Sequence, residues 1–390
     1  MKLIFFSHPD FLNHQSMPRF TRMLAEGMKE RGHEVSVWSP RPKAFKLAPT
    51  SGLKKYFGYI DQFYFFPKSV RKRLKALDDE VLFVFSDQAL GPWVPLVENR
   101  INVIHCHDFL AQQSAKSEIP NQKTGILGSF YQYLIHKGYT RGSNFISVSQ
   151  KTQNDLHRFL AKIPASSSVV YNGLNQAFAP GDKTRLLSKL HKLISLDLSE
   201  GFLLHVGGNQ WYKNRIGVIE IYNAWRDLDS KSFPLLLIGH EPDELLKNAA
   251  KHSPYASSIY FWTTASDEAV KWSYACAQLL IYPSLAEGFG WPIAEAMASG
   301  CPVITTGEAP MTEVGGLAAR YIPRRPDQQD RILKWAEESS KAITEILDLD
   351  ASSRKQLIEQ GIRNAKRFDT REALDQIENI YQTLVTNYKA

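Results

Sequence analysis

The sequence predicts two doubly wound α/β domains that face each other across a cleft. Short apolar runs rich in branched and aromatic residues alternate with amphipathic stretches along the 390 residues, and this series starts again near residue 200. Strand followed by helix, repeated, is typical of a parallel sheet with helices on both faces. A chain of this length also has room for roughly two to three domains.

The apolar runs predict strands on both sides of the restart. They are Leu3–Phe6, Glu34–Trp38, Val81–Phe85, Val103–His105, Phe145–Val148 and Ser168–Tyr171, then Leu203–Val206, Leu235–Ile238, Ile259–Trp262, Leu279–Tyr282 and Val303–Thr305. Amphipathic stretches predict helices between and after these strands. They include Met17–Arg31, Lys183–Lys192, Arg215–Asp227, Glu268–Cys276, Pro292–Ser299, Gln328–Leu347, Ser352–Arg367 and Thr370–Tyr388.

Turn residues mark the junction between the two predicted domains. Tyr171–Asn175 ends the last strand of the first half, and the turn residues Ala179–Asp182 follow it. We therefore expect a first domain over residues 1–172 and a second over residues 173–367. The final helix, within residues 368–390, has no strand after it and is expected to return to the first domain.

Composition limits the class of protein. No apolar run reaches the roughly 18 residues of a membrane-spanning helix, and Ser7–Asp10 ends the first apolar run too early for a signal peptide. Cys106, Cys276 and Cys301 lie far apart, which indicates neither a disulfide framework nor a zinc site. We therefore expect a cytoplasmic protein.

The charge of the chain is unevenly distributed. Residues 1–172 hold 23 basic and 13 acidic residues, whereas the remainder holds 24 basic and 27 acidic residues. The net charge of +7 therefore arises in the first half. Such asymmetry predicts contact with an anion, whether nucleic acid, a phospholipid surface or a phosphorylated substrate.

Residues 279–305 form the segment with the clearest chemistry. A predicted strand leads into a loop that ends at Gly288-Phe289-Gly290, and Pro292 suits the first turn of a helix. Glycines before a helix let an anion approach bare backbone N–H groups, where the helix dipole favours it. Glu287 in the loop and Glu295 in the helix could accept hydrogen bonds from paired hydroxyls of a sugar or ribose. From these residues alone, a compact glycine turn beside a solvent-exposed Glu295 is the alternative.

The string EGFGWPIAEAMASGCPVI resembles the Glu-x₇-Glu signature of the retaining glycosyltransferases of family 4, also called group 1. Other segments are similar to elements of the same family, so that the resemblance covers nearly the whole chain. They are Arg31–Val35, Val103–Asp108, Tyr171–Asn175, Phe202–Ile219 with its Lys-Asn pair, Leu279–Ser284 and Thr312–Gly316. The resemblance implies the GT-B fold of two Rossmann-like domains, and transfer of a hexose from a nucleotide-diphosphate sugar without a metal or a separate cofactor.

The resemblance also implies roles for individual residues. Glu295 would bind the ribose hydroxyls and Glu287 the hydroxyls of the donor sugar, with Gly288-Phe289-Gly290 near the sugar and the distal phosphate. Lys213 would neutralise the departing pyrophosphate, and His107 would face the donor sugar from the first domain. Taken alone, Lys213 is an ordinary surface lysine on a basic turn.

Two departures from the family pattern affect the phosphate contacts. Ser7–Arg22 contains no glycine where many members have a Gly-Gly turn, and the turn Gly207-Gly208-Asn209 is followed by no arginine at the family's position. Phosphate contacts would then come from Lys213 with Arg215, or from Asn209.

The loop after the first predicted strand supplies the acceptor-side candidates. They are His8, Asn13 and Ser16. The partners implied are a nucleotide sugar and a glycan or lipid-linked acceptor, in the synthesis of a cell-surface polysaccharide or glycolipid.

Residues 41–75 hold ten basic residues and one acidic residue, Asp61, interleaved with aromatic residues. Interfacial segments combine rings and cations in this way, so we expect contact with an anionic membrane surface at its inner face. The alternative is a helix over Tyr56–Phe66 that packs its rings on the first domain. Nucleic acid is not expected, because no recognition motif accompanies the stretch.

Other functions compatible with this architecture remain open. A nucleotide-sugar epimerase and a non-catalytic nucleotide-sugar-binding protein share the predicted fold. A dinucleotide oxidoreductase is excluded, because Ser7–Arg22 lacks the Gly-x-Gly-x-x-Gly turn.

Overall fold

A computed structural model describes residues 1–12, 16–120, 122–174, 177–194 and 196–389, apart from the side chains of Ser16 and Lys389. The chain forms two compact units. The first consists of Met1–Gly173 together with Thr370–Ala390, and the second of Leu174–Asp369.

The helices of the described residues number fifteen. They are α1 (Ser16–Glu30), α2 (Ser51–Ile60), α3 (Phe66–Leu74), α4 (Leu110–Ala115), α5 (Ile126–Tyr139), α6 (Gln150–Phe159), α7 (Lys183–Ile194), α8 (Arg215–Leu228), α9 (Glu244–Lys251), α10 (Asp267–Cys276), α11 (Trp291–Ala298), α12 (Met311–Gly315), α13 (Gln329–Leu347), α14 (Ala351–Ala365) and α15 (Thr370–Lys389). A π-helical turn, Asp61–Phe65, joins α2 to α3. None of these helices is both long enough and apolar enough to span a lipid bilayer.

The first unit is built on a parallel sheet, which has six strands in the part of the chain that the structure describes. They are β1 (Lys2–Phe6), β2 (Glu34–Trp38), β3 (Leu82–Phe85), β4 (Asn102–Cys106), β5 (Asn144–Ser147) and β6 (Ser166–Val169). Their spatial order is β2-β1-β3-β4-β5-β6. Leu3 of β1 pairs with Val35 on one side and with Leu82 on the other.

Both faces of this sheet are covered, as expected for parallel strands. Alternate residues of β1 enter different cores, because successive side chains point to opposite faces of a strand. Phe6 packs with Phe85 and Trp93 on one face. Phe5 lies on the other face in one core with Tyr381 of α15. The last helix of the chain thus completes the core of the first unit.

The second unit contains a second parallel sheet, again of six strands among the described residues. They are β7 (Leu203–Val206), β8 (Leu235–Ile238), β9 (Ile259–Trp262), β10 (Leu279–Tyr282), β11 (Val303–Thr306) and β12 (Ala319–Ile322). Their order is β12-β11-β10-β7-β8-β9. Trp225 of α8 and Trp335 of α13 pack with Leu237 and Ile281 of this sheet. The two parallel sheets confirm the predicted fold class.

One strand prediction is wrong, and one strand was not predicted. β6 spans Ser166–Val169 rather than Ser168–Tyr171, because its pairing with β5 begins where Ser166 lies opposite Asn144. The run of serines has no apolar pattern, so the predicted strand began two residues too late. β12 was not predicted, since it is an edge strand whose central residues, Arg320 and Tyr321, are not buried.

Candidate active site

The loop after β10 leads directly into α11. Gly290 has a φ of 101°, a left-handed conformation that favours glycine, and α11 begins at the next residue with Pro292 in its first turn. Phe289 is buried against Trp291 and Phe368, with ring centroids 5.4 and 5.3 Å away. The packing fixes Gly288-Phe289-Gly290 at the N-terminus of α11, where the helix dipole attracts an anion.

Lys213 and Glu287 form an ion pair in the second unit. The Lys213 ammonium lies 2.8 and 3.0 Å from the two Glu287 carboxylate oxygens, and both side chains are largely buried. Oε1 of Glu287 also accepts hydrogen bonds from the Tyr282 hydroxyl at 2.6 Å and the Ser284 hydroxyl at 2.8 Å. Among the described residues, Oε2 accepts from Lys213 alone, which leaves it capacity for a ligand hydroxyl.

Tyr282 helps to hold this pair. Its burial, together with the neighbouring Glu287 charge and hydrogen bond, raises the pKa of the Tyr282 hydroxyl well above its ordinary value. The phenol therefore stays protonated and donates to Glu287, while it accepts from Lys213 at 2.7 Å. The sequence did not single out Tyr282 or Ser284, although both lie where a parallel strand ends.

Arg215, the first residue of α8, is buried with part of its guanidinium unsatisfied. Nη1 donates to the Asn209 side-chain oxygen and, at 3.0 Å, to the His240 carbonyl. Nε and Nη2 have no hydrogen-bond partner among the described residues, although Arg215 is only 5% exposed. Burial lowers the pKa of Arg215 to about 10, so it remains a cation at neutral pH. Buried unpaired donors on a cation indicate a site for an anionic ligand.

The glycines at the ends of β7 and β8 bring the backbone of these two loops together. A Cβ on Gly239, whose φ is 148°, would lie 1.9 Å from the Gly207 carbonyl oxygen. A Cβ on Gly207 would in turn lie 3.0 Å from Nε2 of the fully buried His205 and 3.7 Å from the Lys213 side chain. Gly207, Asn209, Lys213 and Arg215 therefore lie in one small region of the second unit.

Glu295 lies about one turn into α11. Its Oε2 accepts a hydrogen bond of 2.9 Å from the hydroxyl of Tyr274 on α10. Burial of Tyr274 is the main reason that its pKa lies well above the ordinary value, and the charge and hydrogen bond of Glu295 raise this pKa further. The hydroxyl therefore remains a donor. The carboxylate is thus held in one orientation by a buried partner that the sequence did not reveal.

His107 follows β4 in the first unit and is buried. Its Nε2 donates to the Ser86 carbonyl at 2.9 Å, and its backbone N–H donates to the Gln88 side chain. Burial lowers the pKa of His107 even though the nearby Asp87 charge opposes this effect. His107 is therefore a neutral imidazole near pH 7. Its neighbour His105 is a core residue, hydrogen-bonded to the Tyr381 hydroxyl at 2.7 Å.

His8 is held by Asp87, a residue that the sequence did not single out. His8 Nε2 lies 2.8 Å from a carboxylate oxygen of Asp87. Burial alone would raise the pKa of Asp87, but the interactions with His8, aided by His107 and the backbone N–H of Ala89, together hold that pKa below its ordinary value. The other acceptor-side candidates, Asn13 and the side chain of Ser16, lie outside the described residues.

A cavity of about 220 Å³ lies beside His107 in the first unit. Its polar wall consists of carboxylates and amides, namely Asp87, Gln88, Asp108, Gln112 and Gln132. Gln112 is 5% exposed, and its Nε2 has no partner within the described residues. Phe109 adds an apolar side. Amides and carboxylates beside an aromatic ring suit a ligand rich in hydroxyls.

Two Asp-x-Asp triplets occur in the sequence, and both lie at helix ends, where their carboxylates have structural roles. Asp229 accepts from the Trp225 indole at 3.2 Å, and Asp350 accepts from the first backbone N–H groups of α14. Lys231 bridges Asp229 and Asp348. In the described chain, no three His, Cys, Asp or Glu side chains gather as ligands of one metal ion would.

Comparison with known families agrees with this architecture. Residues 17–178 match the family model described as Glycosyltransferase Family 4, and residues 201–331 match the one described as Glycosyl transferases group 1. The chain belongs to the group 1, family 4 glycosyltransferases, as its sequence motifs predicted.

Two curated relatives are O-antigen mannosyltransferases. The chain is 29% identical over 254 residues to O-antigen chain mannosyltransferase B of Escherichia coli, which is 64% of this chain and 63% of that protein. It is 25% identical over 246 residues to O-antigen chain mannosyltransferase RfbU of Salmonella typhimurium, or 61% of this chain and 64% of that protein. The chain thus spans slightly less than two thirds of either relative.

Solved structures share the fold over almost the entire chain. HepE of Anabaena, in complex with UDP and glucose, superposes with a TM-score of 0.72 at 17% identity, covering 98% of this chain and 100% of that one. WaaG, a glycosyltransferase involved in lipopolysaccharide biosynthesis, gives 0.69 at 16% identity, covering 97% and 99%. Sucrose-phosphate synthase of Thermosynechococcus elongatus gives 0.70 at 16% identity, covering 99% and 100%. These similarities confirm the GT-B fold.

Proposed function

We propose that this protein is a retaining, metal-independent glycosyltransferase that transfers a hexose from a nucleotide-diphosphate sugar to a glycan or lipid-linked acceptor. Its product would belong to a cell-surface polysaccharide or glycolipid. The observation that carries the proposal is the buried, partly unsatisfied guanidinium of Arg215 beside Asn209 and Lys213.

Arg215 is the proposed phosphate ligand of the donor site. Its Nη1 is already held by Asn209 and His240, so the plane of the guanidinium is fixed before any ligand binds. The unpaired Nε and Nη2 then donate to phosphate oxygens. Arginine binds phosphate strongly in this two-donor geometry. Arg215 would supply the cation that the family usually places directly after the glycine turn.

The sugar and the nucleoside meet the two glutamates of the signature. Glu287 offers Oε2 to a hydroxyl of the donor hexose, while Lys213 holds the carboxylate and faces the diphosphate as it departs. Glu295, oriented by Tyr274, accepts from the ribose hydroxyls. Gly288-Phe289-Gly290 place the N-terminus of α11 near the distal phosphate.

The first unit supplies the acceptor side. The carboxylates and amides that line the cavity beside His107 suit a sugar of the acceptor, and the neutral imidazole binds hydroxyls without adding charge. His8, fixed by Asp87, adds a second imidazole at the end of β1.

The transfer of the hexose requires no further catalyst. The bond between the anomeric carbon and the phosphate oxygen breaks, and a bond to the acceptor oxygen forms on the same face, which retains the configuration. The acceptor proton passes to the departing phosphate oxygen. Lys213 and Arg215 stabilise the negative charge that develops there.

The curated relatives suggest which donors to test first. Two of them are named as mannosyltransferases, and HepE was solved with UDP and glucose. Mannose and glucose, each carried by UDP, GDP or ADP, therefore form the first panel.

Calorimetric titration of nucleoside diphosphates into wild type and Arg215→Gln tests the donor site. We expect one diphosphate to bind, and the variant to bind it roughly ten- to a hundred-fold more weakly, because charged hydrogen bonds contribute about 1.5–3 kcal/mol. Affinity for the uncharged nucleoside should not change. Arg226→Gln, at the other end of α8, is the matched control. Equal affinities in wild type and Arg215→Gln would contradict the site.

Transfer assays separate the alternatives. Radiolabelled sugar appearing in a glycan or lipid fraction supports the transferase. A change in the donor sugar itself, with no acceptor present, would indicate an epimerase. Binding of the donor with neither reaction would indicate a non-catalytic nucleotide-sugar-binding protein.

A further inference from the structure

One surface of the first unit exposes large hydrophobic side chains on two neighbouring helical segments. The first segment runs without interruption through α2, the π turn and α3. Its exposed hydrophobic side chains are Leu53, Tyr56, Ile60, Phe63 and Tyr64. They recur every three or four residues and therefore form a single stripe along the helical segment.

The second helix is α5, which the sequence prediction for residues 41–75 did not include. Ile126 and Leu127 are 88% and 71% exposed, and Phe130 and Tyr133 are exposed as well. Ile126, Phe130, Tyr133 and Lys137 are spaced as one face of a helix. This face of α5 is apolar for two turns and ends in a cation.

Aromatic contacts join the two segments side by side. The ring centroids of Tyr59 and Phe63 lie 5.8 and 6.0 Å from that of Tyr131 on α5. The two exposed stripes therefore belong to one surface. We call it the α2–α5 face and define it by the nine side chains Leu53, Tyr56, Ile60, Phe63, Tyr64, Ile126, Leu127, Phe130 and Tyr133.

Cations are frequent in and next to the two segments, and no carboxylate within the segments reaches the surface. The exposed basic residues are Lys54, Lys55, Lys68, Arg71, Lys72, Lys75, Lys123 and Lys137, and the ammonium of Lys68 lies 3.9 Å from the ring centroid of Tyr64. Residues 122–139 contain no Asp or Glu. Asp61, the one acidic residue of 41–75, is fully buried and accepts hydrogen bonds from the backbone N–H groups of Lys43, Ala44 and Phe45. Rings, aliphatic side chains and uncompensated cations thus share one surface.

We propose that the α2–α5 face docks this protein on an anionic lipid bilayer, with α5 inserting its apolar stripe at headgroup depth. Peripheral binding requires both apolar burial and cations on anionic lipid, and the face combines the two. A second copy of the chain fits less well, because pairing two such faces would bring lysines and arginines together without opposing carboxylates.

The other side of α5 connects this surface to the cavity. Gln132 and Ile135 line the cavity, whereas Phe130 and Tyr133 are exposed. A helix is about 10 Å across, so a docked α5 would place the cavity within reach of a lipid headgroup. This step rests on the proposed function and points to a lipid-linked acceptor, whereas the docking itself does not depend on transferase activity.

Vesicle co-sedimentation of the full chain tests the docking. Vesicles of phosphatidylcholine alone are compared with vesicles containing equal parts of phosphatidylglycerol. We expect pelleting with the anionic vesicles, weakened by added salt. Ile126→Ser with Phe130→Ser should reduce the vesicle affinity by roughly ten-fold or more, since it removes buried apolar area. Lys68→Gln with Lys72→Gln should also reduce it, by about five-fold for each lysine.

Matched controls exclude general effects of the substitutions. Ile163→Ser with Leu317→Ser removes two side chains that are 94% and 97% exposed elsewhere. Lys355→Gln with Lys366→Gln removes two exposed cations of the second unit. Both should bind vesicles as wild type does, and thermal unfolding of every variant should match wild type because all the positions are exposed.

Four results would overturn the proposal. The first three are absence of selective binding to anionic vesicles, wild-type binding by the α5 variant, and a dimer in sedimentation velocity that the α5 variant abolishes without any lipid binding. Binding of a single-stranded oligonucleotide in place of vesicles would assign the face to nucleic acid and would likewise contradict it. Vesicle binding without transfer activity would leave the docking intact and contradict only the proposed function.

Discussion

The ammonium of Lys213 lies 2.8 Å from the carboxylate of Glu287, so two residues with separate expected roles form one ion pair. The resemblance to family 4 implied a phosphate role for the lysine and a sugar role for the glutamate. The pair is buried beside Tyr282 and Ser284, which donate to the same carboxylate oxygen. Any change at one member therefore acts on the other, and the two roles need to be separated experimentally.

Removal of either charge should destabilise the second unit. Glu287→Gln and Lys213→Met should each lower the free energy of unfolding by roughly 2–4 kcal/mol, since each leaves a largely buried charge unpaired. The double variant should lose less than the sum of the two. Hydrogen exchange of β10 peptides measures the effect. Glu220→Gln, which breaks the more exposed pair with Arg325, should cost about 1 kcal/mol or less. Additive losses at Lys213 and Glu287 would argue against coupling.

Lys213→Ala should lower turnover far more than nucleotide affinity. The negative charge on the departing phosphate grows along the reaction, so the lysine stabilises the transition state more than the bound donor. We expect turnover to fall by roughly a hundred-fold or more, as for other electrostatic groups. Steady-state kinetics and calorimetry together measure the two effects. Lys247→Ala, an exposed lysine of the same unit, is the control. Weaker binding with unchanged turnover at saturation would show that Lys213 stabilises the bound donor and not the transition state.

Glu295→Ala should weaken nucleotide binding by about 1–3 kcal/mol, because the ribose hydroxyls would lose a buried acceptor. Tyr274→Phe keeps the carboxylate but removes the hydroxyl that orients it, so a smaller loss is expected. Calorimetry with nucleoside diphosphates compares the two. Wild-type affinity in Glu295→Ala would show that Glu295 does not bind the ribose hydroxyls.

The stability of the first unit should fall in acid because of His105. Burial lowers its pKa to about 3, whereas the unfolded chain binds a proton near the ordinary value of 6.5. Protonation therefore favours unfolding as the pH falls from about 6.5 to 3, by roughly 1.4 kcal/mol per pH unit. His105→Gln, which keeps a hydrogen-bonding group for Tyr381, should reduce this slope in hydrogen exchange of β4 and α15. An unchanged slope would show that other groups control acid unfolding.

The central strands of the second sheet were predictable from the sequence because both of their faces are buried. Each of β7, β8 and β10 appears in the sequence as a short apolar, mostly branched run and has the predicted bounds. Two of the four edge strands, β6 and β12, carry less of this signal, whereas the edge strands β2 and β9 also have the predicted bounds. β6 consists largely of serine and β12 has an arginine and a tyrosine at its centre, so their pairing is visible only in the sheet.

The candidate site was predictable where glycine and strand ends mark it. The loop before α11 and the turn after β7 carry such marks, and their side chains are the ones the sequence singled out. Partners from distant segments carry none. Tyr274 reaches Glu295 from α10, and Asp87 holds His8 across 79 residues, which only the folded backbone brings together. The exposed face of α5 was missed for a different reason, since its stripe resembles that of a helix packed in a core.

The return of α15 to the first unit affects the order in which the protein can fold during synthesis. Tyr381 and its neighbours on α15 close a core begun by Leu3 and Phe5, although the ribosome makes them after the whole second unit. The second unit, Leu174–Asp369, is contiguous and emerges earlier. We therefore expect one face of the N-terminal sheet to stay uncovered until α15 has been synthesised, which reverses the usual order in which the N-terminal domain folds first.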